Sequence, residues 1–243
     1  MKKGQIHIGT SGWHYKHWKG TFYPADIKEA DQLAYYVRCF DTVEINNSFY
    51  KLPAGKTFSD WRKATPKKFL FAVKASRFIT HMKKLKADKA SIRKLLQHAG
   101  KLEEKMGPVL FQLPPRWKLN VVRLAEFLPK LPAENRYAFE FREPGWYAPE
   151  VYDLLRQYNC AFCIYELAHH LSPLEVTADF IYIRLHGPGE KYQGSYPDAV
   201  LKKWATRCRA WQKKGKDIYV YFDNDQAGYA AFNARRLKKL LKA

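Results

Sequence analysis

Short runs of apolar, β-branched and aromatic residues recur along the chain. They are separated by longer charged stretches in which apolar residues return every three or four positions, the alternation of repeated βα units. Eight runs have strand character: Gln5–Gly9, Thr42–Asn46, Phe69–Ala75, Pro108–Leu113, Tyr137–Arg142, Cys160–Tyr165, Phe180–His186 and Asp217–Asp223. Between them, residues 26–38, 90–104, 121–128, 149–157, 198–213 and 227–241 read as amphipathic helices, while the crossovers 51–68 and 167–179 are short or irregular. No linker, low-complexity tract or repeat divides the 243 residues, so a single domain over 1–243 is expected. About 30 residues per unit is the allotment of a (β/α)8 barrel. The predicted class is α/β, one TIM-type barrel of parallel strands with some irregular crossovers; a doubly wound open sheet is the alternative use of the same units.

Parity within the strands refines this picture, because successive side chains point to opposite faces. One face is almost purely apolar: Ile6 and Ile8, Val43 and Ile45, Phe71 and Val73, Val109 and Phe111, Phe139 and Phe141, Ile181 and Ile183, Ile218 and Val220. The other face becomes polar or charged toward the carboxyl end of each strand, as in Thr42-Glu44-Asn46, Ala72-Lys74-Ser76, Leu110-Gln112, Ala138-Glu140-Arg142, Tyr182-Arg184-His186 and Tyr219-Tyr221-Asp223. Helices can cover only the apolar face, so the second face is assigned to the barrel lumen and its charged ends to the mouth, where barrel enzymes keep their sites. The run from Cys160 to Tyr165 does not follow the rule clearly.

Composition changes the picture in two ways. Hydrophobic residues at 47% and charged residues at 27% exclude a disordered chain, and no long uncharged apolar run suggests a membrane span. No apolar h-region follows the Met-Lys-Lys start, and four scattered cysteines make no disulfide framework, so a reducing cytoplasm is the expected setting. Lys plus Arg number 43 against 23 Asp plus Glu, a formal net charge of +20 that attracts polyanions.

An ordered set of motifs carries a family resemblance over nearly the whole chain. Ile8-Gly9-Thr10-Ser11-Gly12-Trp13 is followed by Tyr15, Trp18, Gly20 and Phe22-Tyr23-Pro24, and then by Val43-Glu44-Ile45-Asn46-Asn47-Ser48-Phe49-Tyr50. Phe71-Ala72-Val73-Lys74, Ile79-Thr80-His81, Gly107-Pro108, Leu110-Phe111-Gln112-Leu113-Pro114-Pro115, Phe139-Glu140-Phe141-Arg142, Tyr182-Ile183-Arg184-Leu185-His186-Gly187, Asn224-Asp225 and Gly228-Tyr229-Ala230 complete it. The set resembles the YecE-like family, domain of unknown function 72. The resemblance implies a TIM-type barrel and no established activity. The family's last motif usually resembles Tyr-Phe-Asn-Asn-Asp; here Asp223 takes the first Asn position, so any role for Asp223 is particular to this chain.

The mouth residues define the candidate chemistry. Lys74, Arg142 and Arg184 are expected to bind an anion, phosphate or carboxylate, with Ser11, Trp13, Asn46, Gln112 and Asp223 as further substrate contacts. Glu44, Glu140 and His186 are the acid and base candidates. The bland alternative is a layer of mutual salt bridges closing the barrel top. No P-loop or GxGxxG occurs, so no nucleotide cofactor is expected, and the turns Thr10-Ser11-Gly12 and His186-Gly187-Pro188-Gly189 are left as places where amides could meet an anion. No metal site is assigned, although a divalent ion on Glu44, Glu140 or Asp223 is an open alternative. Cys160 and Cys163 fall on opposite strand faces and are read as buried thiols. Trp13, Tyr15, Trp18, Trp117, Trp146 and Tyr192 fall just after strands, where rings could stack on bases or sugars or simply pack under loops. The functional expectation is an enzyme acting on an anionic substrate, a phosphorylated sugar or a nucleic-acid strand, by acid/base chemistry. The alternatives are a non-catalytic nucleic-acid-binding module and a small-molecule sensor.

Overall fold

The computed structural model describes residues 3–242; Met1, Lys2 and Ala243, the ends of the expected domain and part of the Met-Lys-Lys start, lie outside the described residues. Nine strands are present among the described residues: β1 (Ile6–Thr10), β2 (Thr42–Ile45), β3 (Leu70–Lys74), β4 (Met106–Gln112), β5 (Tyr137–Glu140), β6 (Ala161–Leu167), β7 (His170–Leu171), β8 (Phe180–Leu185) and β9 (Asp217–Phe222). Eight of them pair in parallel in the order β1-β9-β8-β6-β5-β4-β3-β2, and β7 alone turns back antiparallel on β6. A single parallel bridge between Ser11 and Glu44 joins the two ends of this path. The result is a nearly closed α/β barrel of TIM type.

The helices are α1 (Gln32–Cys39), α2 (Asn47–Tyr50), α3 (Gly55–Lys63), α4 (Lys89–Ala99), α5 (Val121–Phe127), α6 (Pro149–Gln157), α7 (Asp198–Lys213) and α8 (Tyr229–Lys242). Caps fix two of the starts: Asp88 accepts from the Ser91 amide at 2.8 Å ahead of α4, and Asn120 accepts from the Arg123 amide at 2.9 Å ahead of α5. The crossover at 51–68, expected to be irregular, contains α3. Its sequence, Gly-Lys-Thr-Phe-Ser-Asp-Trp-Arg-Lys, has only two large apolar residues, too few for a periodic signal, yet Phe58 is fully buried and Trp61 meets Trp13 edge-on at 5.1 Å. Tertiary contact, not propensity, makes this helix. The crossover at 167–179 does lack a helix and carries β7 instead.

The two strand faces part as their alternation requires. Ile8, Val43, Phe71, Phe111, Phe139, Ile183 and Val220 join the large core under the helices, whereas Ala72, Leu110, Ala138, Cys163, Tyr182 and Tyr221 form a second, smaller core inside the barrel. β6 now falls into line, with Phe162 and Ile164 outside and Ala161 and Cys163 inside. Cys160 and Cys163 are both buried, unpaired and on opposite faces, and burial pushes the Cys160 thiol up to about 12.

The β1–β2 seam brings backbones unusually close. A Cβ on Gly9 would lie 2.1 Å from the Thr42 carbonyl oxygen, so only glycine fits there. The Tyr36 hydroxyl of α1 fills the seam, accepting from the Thr10 amide at 2.9 Å and donating to the Thr42 carbonyl at 3.1 Å. No helix among the described residues is long and apolar enough to cross a membrane.

Candidate functional site

Every candidate residue except Trp13 lies at or just past the carboxyl end of a barrel strand, and the strands bring them to one rim. The floor beneath them is made of tyrosines. Tyr182 donates to Glu44 Oε2 at 2.6 Å, and the Tyr221 hydroxyl meets Thr42 Oγ1 at 2.8 Å. These rings fill the lumen as branched aliphatics do in other barrels, and they also supply a donor to the charged layer above.

Arg184 is the centre of that layer. Its guanidinium donates to Glu140 Oε2 at 2.8 Å, to Glu44 Oε1 at 2.7 Å and to Asp223 Oδ2 at 3.1 Å, with Ser11 Oγ at 3.4 Å. Ser11 Oγ in turn donates to Glu44 Oε1 at 2.7 Å. Glu44, Glu140, Arg184, His186 and Ser11 are all buried, so this cluster is a network paired within the protein below the solvent-accessible mouth, with Arg184 Nε left without a partner among the described residues. Arg142 Nε donates to Glu140 Oε1. Burial opposes ionisation of Glu140, but Arg142 and then Arg184 overcome it and hold the carboxyl well below the usual range. Burial, aided by Arg142 and Arg184, drives the His186 pKa well down, so the imidazole is neutral. Its partners fix the tautomer: Nε2 accepts from Arg142 Nη2 at 3.1 Å, which leaves the proton on Nδ1 for Asp223 Oδ2 at 3.0 Å.

Above the network the mouth divides into two compartments that share Tyr50, Lys74 and Tyr192. The larger, about 750 Å³, is lined by Trp13, Tyr15, Asn46, Trp61 and Asp223, with Glu29 and Asp60 toward its rim. The smaller, about 550 Å³, is lined by His81, Gln112, Arg142, Tyr165, His170 and Lys191, and it has no Asp or Glu in its wall. One compartment is therefore aromatic and carboxylate-bearing, the other cationic. Tyr192 stands edge-on to His186 at 5.3 Å, on a loop that folds back because Gly187 (φ +112°) brings its Cα against the Gln193 carbonyl.

Lys74 sits where the compartments meet. Its backbone is pinned by pairing with Leu110 and by a 2.6 Å bond from Ser48 Oγ to its carbonyl oxygen. Its Nζ lies 4.5 Å from the Phe49 ring centroid and, among the described residues, has no hydrogen-bond or salt-bridge partner. Burial, then the Arg184 charge, lowers its pKa to about 8 against the opposing pull of Glu140, Glu44 and Asp223. Asp223 is shifted the other way, raised by burial although Arg184, Lys74 and Arg142 resist. His81, held at Nδ1 by Thr80 Oγ1 at 2.9 Å, is lowered to about 4 by burial and the Lys74 charge.

Of the residues expected to contact substrate, Trp13, Asn46, Lys74, Gln112, Arg142 and Asp223 line the compartments, whereas Ser11 and Arg184 are spent within the network. The turn amides considered for an anion are engaged at four positions: Thr10 N donates to Tyr36 OH at 2.9 Å, Ser11 N to the Phe222 carbonyl at 2.9 Å, His186 N to the Glu166 carbonyl at 2.9 Å and Gly187 N to Tyr196 OH at 3.0 Å. Among the aromatics, Trp18 and Trp146 are buried packing residues, and their indole N–H groups donate to Asp225 at 2.6 Å and to the Trp117 carbonyl at 2.6 Å. Where a divalent ion was an open alternative on three carboxylates, the Arg184 guanidinium bridges Glu44, Glu140 and Asp223, and no group of three or more His, Cys, Asp or Glu side chains suited to a metal occurs among the described residues. Sequence reasoning left out Tyr50 and Tyr182 as site residues. Tyr182 was legible on the lumen face, but only its reach to Glu44 reveals its part; Tyr50 carried no signal beyond its motif.

The profile of the family described as "Protein of unknown function DUF72" matches residues 7–243. UPF0759 protein YunF of Bacillus subtilis (strain 168) is 26% identical over 275 aligned residues, covering 97% of this chain and 94% of that protein. UPF0759 protein YecE of Escherichia coli (strain K12) is 28% identical over 144 residues, 59% of this chain and 50% of its own. A crystal structure of a DUF72 family protein from Thermotoga maritima superposes with a TM-score of 0.88 at 30% identity, covering 98% of this chain and all of that one. Another, from Enterococcus faecalis, gives 0.84 at 20% identity, a likeness of fold.

Proposed function

Because the chain belongs to the DUF72 family, whose description gives no activity, function has to be read from the mouth, and we propose an enzyme that binds a small anion-bearing substrate there and works on it by acid/base chemistry. The observation that carries this reading is the segregation of charge between two compartments joined at Lys74. A phosphate or carboxylate would enter the smaller one, against Arg142, Lys191 and the near side of Lys74. Arg142 Nη1 has no protein partner among the described residues and so is left for an anion. The polar or hydroxyl-bearing remainder would extend past Lys74 into the larger one, between Trp13 and Tyr50 and against Asp223.

Asp223 is then the acid/base group. Among the described residues only its Oδ2 is engaged, by Arg184 and by His186 Nδ1–H, so Oδ1 is left to exchange a proton with substrate. The upward shift of its carboxyl brings it closer to neutral pH, where such exchange is most effective. Glu44 and Glu140 act through Arg184 as positioning residues, and His186 as a neutral donor that orients Asp223. The compartment sizes favour a phosphorylated small molecule over a polynucleotide strand; the +20 charge supports nucleic acid as the alternative ligand.

Thermal unfolding in inorganic phosphate against sodium chloride of matched ionic strength tests the reading. Occupancy at a hundredfold excess over Kd adds about 2.7 kcal/mol, and the gain should shrink in Lys191→Ala and in Arg142→Gln. Equal protection in the wild type and both variants would reduce the effect to general salt exclusion and remove the proposal. Protection by a single-stranded oligonucleotide that steeply outcompetes phosphate at low salt would favour the polynucleotide reading instead.

A further inference from the structure

Lys74 differs from the charged residues of the network beside it in having, among the described residues, no hydrogen-bond or salt-bridge partner. Glu44, Glu140, Asp223, Arg142 and Arg184 are all tied to one another, while the Lys74 ammonium faces both cavities beside the Phe49 ring. A lysine used only to balance charge would be expected to reach a carboxylate, and three stand in the adjoining layer. Its backbone is clamped on both sides, by Leu110 and by Ser48, so the origin of the side chain is fixed relative to the cavities. Asp223 shares the larger compartment with it.

We propose that Lys74 is a nucleophile that captures a carbonyl substrate as an imine, with the carbonyl carbon at the junction and an anionic group in the basic compartment. The inference rests on the two-compartment reading above and names its substrate class, an aldehyde or ketone carrying a phosphate or carboxylate. The neutral amine attacks the carbonyl carbon, forming the N–C bond as the C=O π pair moves to oxygen, and the Asp223 carboxylate carries one N–H proton from the resulting ammonium to that oxygen, giving the carbinolamine. The nitrogen lone pair then forms the C=N bond as the C–O bond breaks. Asp223 carries the second N–H proton to the departing hydroxide, which leaves as water, and the carboxylate is restored. The balance is one carbonyl and one amine to one imine and one water, without any redox partner. The groups that set the amine's protonation are Arg184 from β8, Glu140 from β5, Glu44 from β2 and Asp223 after β9, and the smaller compartment adds His81, Arg142 and Lys191 facing it. Their sum with burial puts the amine near its midpoint at about pH 8, where an ordinary lysine is almost wholly protonated.

The test is reductive trapping on the full chain, with glyceraldehyde 3-phosphate or glyceraldehyde plus cyanoborohydride, followed by peptide mass mapping. Glyceraldehyde 3-phosphate should modify Lys74 at least tenfold faster than the exposed Lys202 and Lys203, with a rate that climbs through pH 8 and falls when inorganic phosphate is added. In Lys74→Arg that fast event should vanish while phosphate still protects against unfolding. Labelling of Lys74 no faster than the exposed lysines would overturn the imine, and persisting phosphate protection would then leave the anion site standing by itself. Fast labelling by both aldehydes alike, insensitive to phosphate, would uphold the nucleophile and remove the anion site.

Discussion

Arg184 and Lys74 carry the same charge within one layer of the barrel, and they are handled in opposite ways. Arg184 is 1% exposed and directs its terminal nitrogens to Glu44, Glu140, Asp223 and Ser11. Lys74 has an aromatic ring beside it and no acceptor among the described residues. A buried cation whose partners are all supplied by the protein is a strut, because removing it strands the partners. A cation left without partners costs stability and is kept ready for something that is not protein. The difference separates a paired cation from an unpaired one within a single set of charged residues, and the proposed chemistry falls on the unpaired one.

Arg184→Met should break the comparison most visibly. It leaves Glu44 and Glu140 fully buried without their common donor, a loss of about 3–5 kcal/mol, read from urea unfolding. A loss below about 1 kcal/mol, the scale of an exposed pair, would mean that the network contributes little. Acid should reach the same end by another route. The Glu140 pKa is depressed on folding, so its stabilisation is fully present above the ordinary glutamate value near 4.3 and is lost as pH falls through the lower folded value. The Glu140 contribution, read as the difference between the wild type and Glu140→Gln, should therefore hold down to about pH 4 and decline only below it, whereas His186 and His81, whose pKa values fall on folding, already cost the wild type stability as pH drops below about 6.5.

Lys74→Met should have the opposite sign. A pKa lowered from 10.5 to about 8 corresponds to a ceiling of about 3 kcal/mol of penalty, and contact with the cavity solvent reduces it, so a gain of about 1–3 kcal/mol is expected. The penalty is complete below the folded value. As pH rises from about 8 toward 10.5 the unfolded chain still holds a proton the folded chain has shed, so wild-type stability rises and the gap to Lys74→Met closes. Melting temperatures of the two proteins followed from pH 7 to 10.5 check this; a gap that stays constant would detach the penalty from the amine. The smallest effect sharpens the contrast from outside the network. Lys191 is exposed, so Lys191→Ala should move stability by less than about 0.5 kcal/mol while weakening phosphate protection.

Most of the barrel was legible because its two alternations are strong. Ile181 and Ile183 against Tyr182 and Arg184 declare a buried outer face and a lumen face without any structure. Helix α3 was not legible, since Phe58 and Trp61 give too sparse a stripe and their burial is decided by Trp13 from a distant part of the chain. Within the site, strand parity gathered Glu44, Lys74, Glu140, Arg184 and Asp223 correctly at one rim. It could not rank them. Which cation is consumed and which is free depends on side-chain reach between strands, and Glu44 and Arg184 lie 140 positions apart. The same limit hid the compartments: Tyr50 and Tyr192 lie far apart in the sequence and line the same compartments only when the barrel has closed.

The Ser11–Glu44 bridge has a consequence for how the molecule comes into being. It joins the first strand to the second, yet the other flank of the first strand belongs to the last, so β1 leaves the ribosome long before its β9 neighbour exists. The serine and glutamate of that seam also hold the Arg184 guanidinium. Nascent chains halted before Asp217 would have a partial sheet with an open flank and the cluster of carboxylates uncompleted. The Arg184 layer therefore gains its last carboxylate, and β1 its second neighbour, only once β9 and Asp223 have been made.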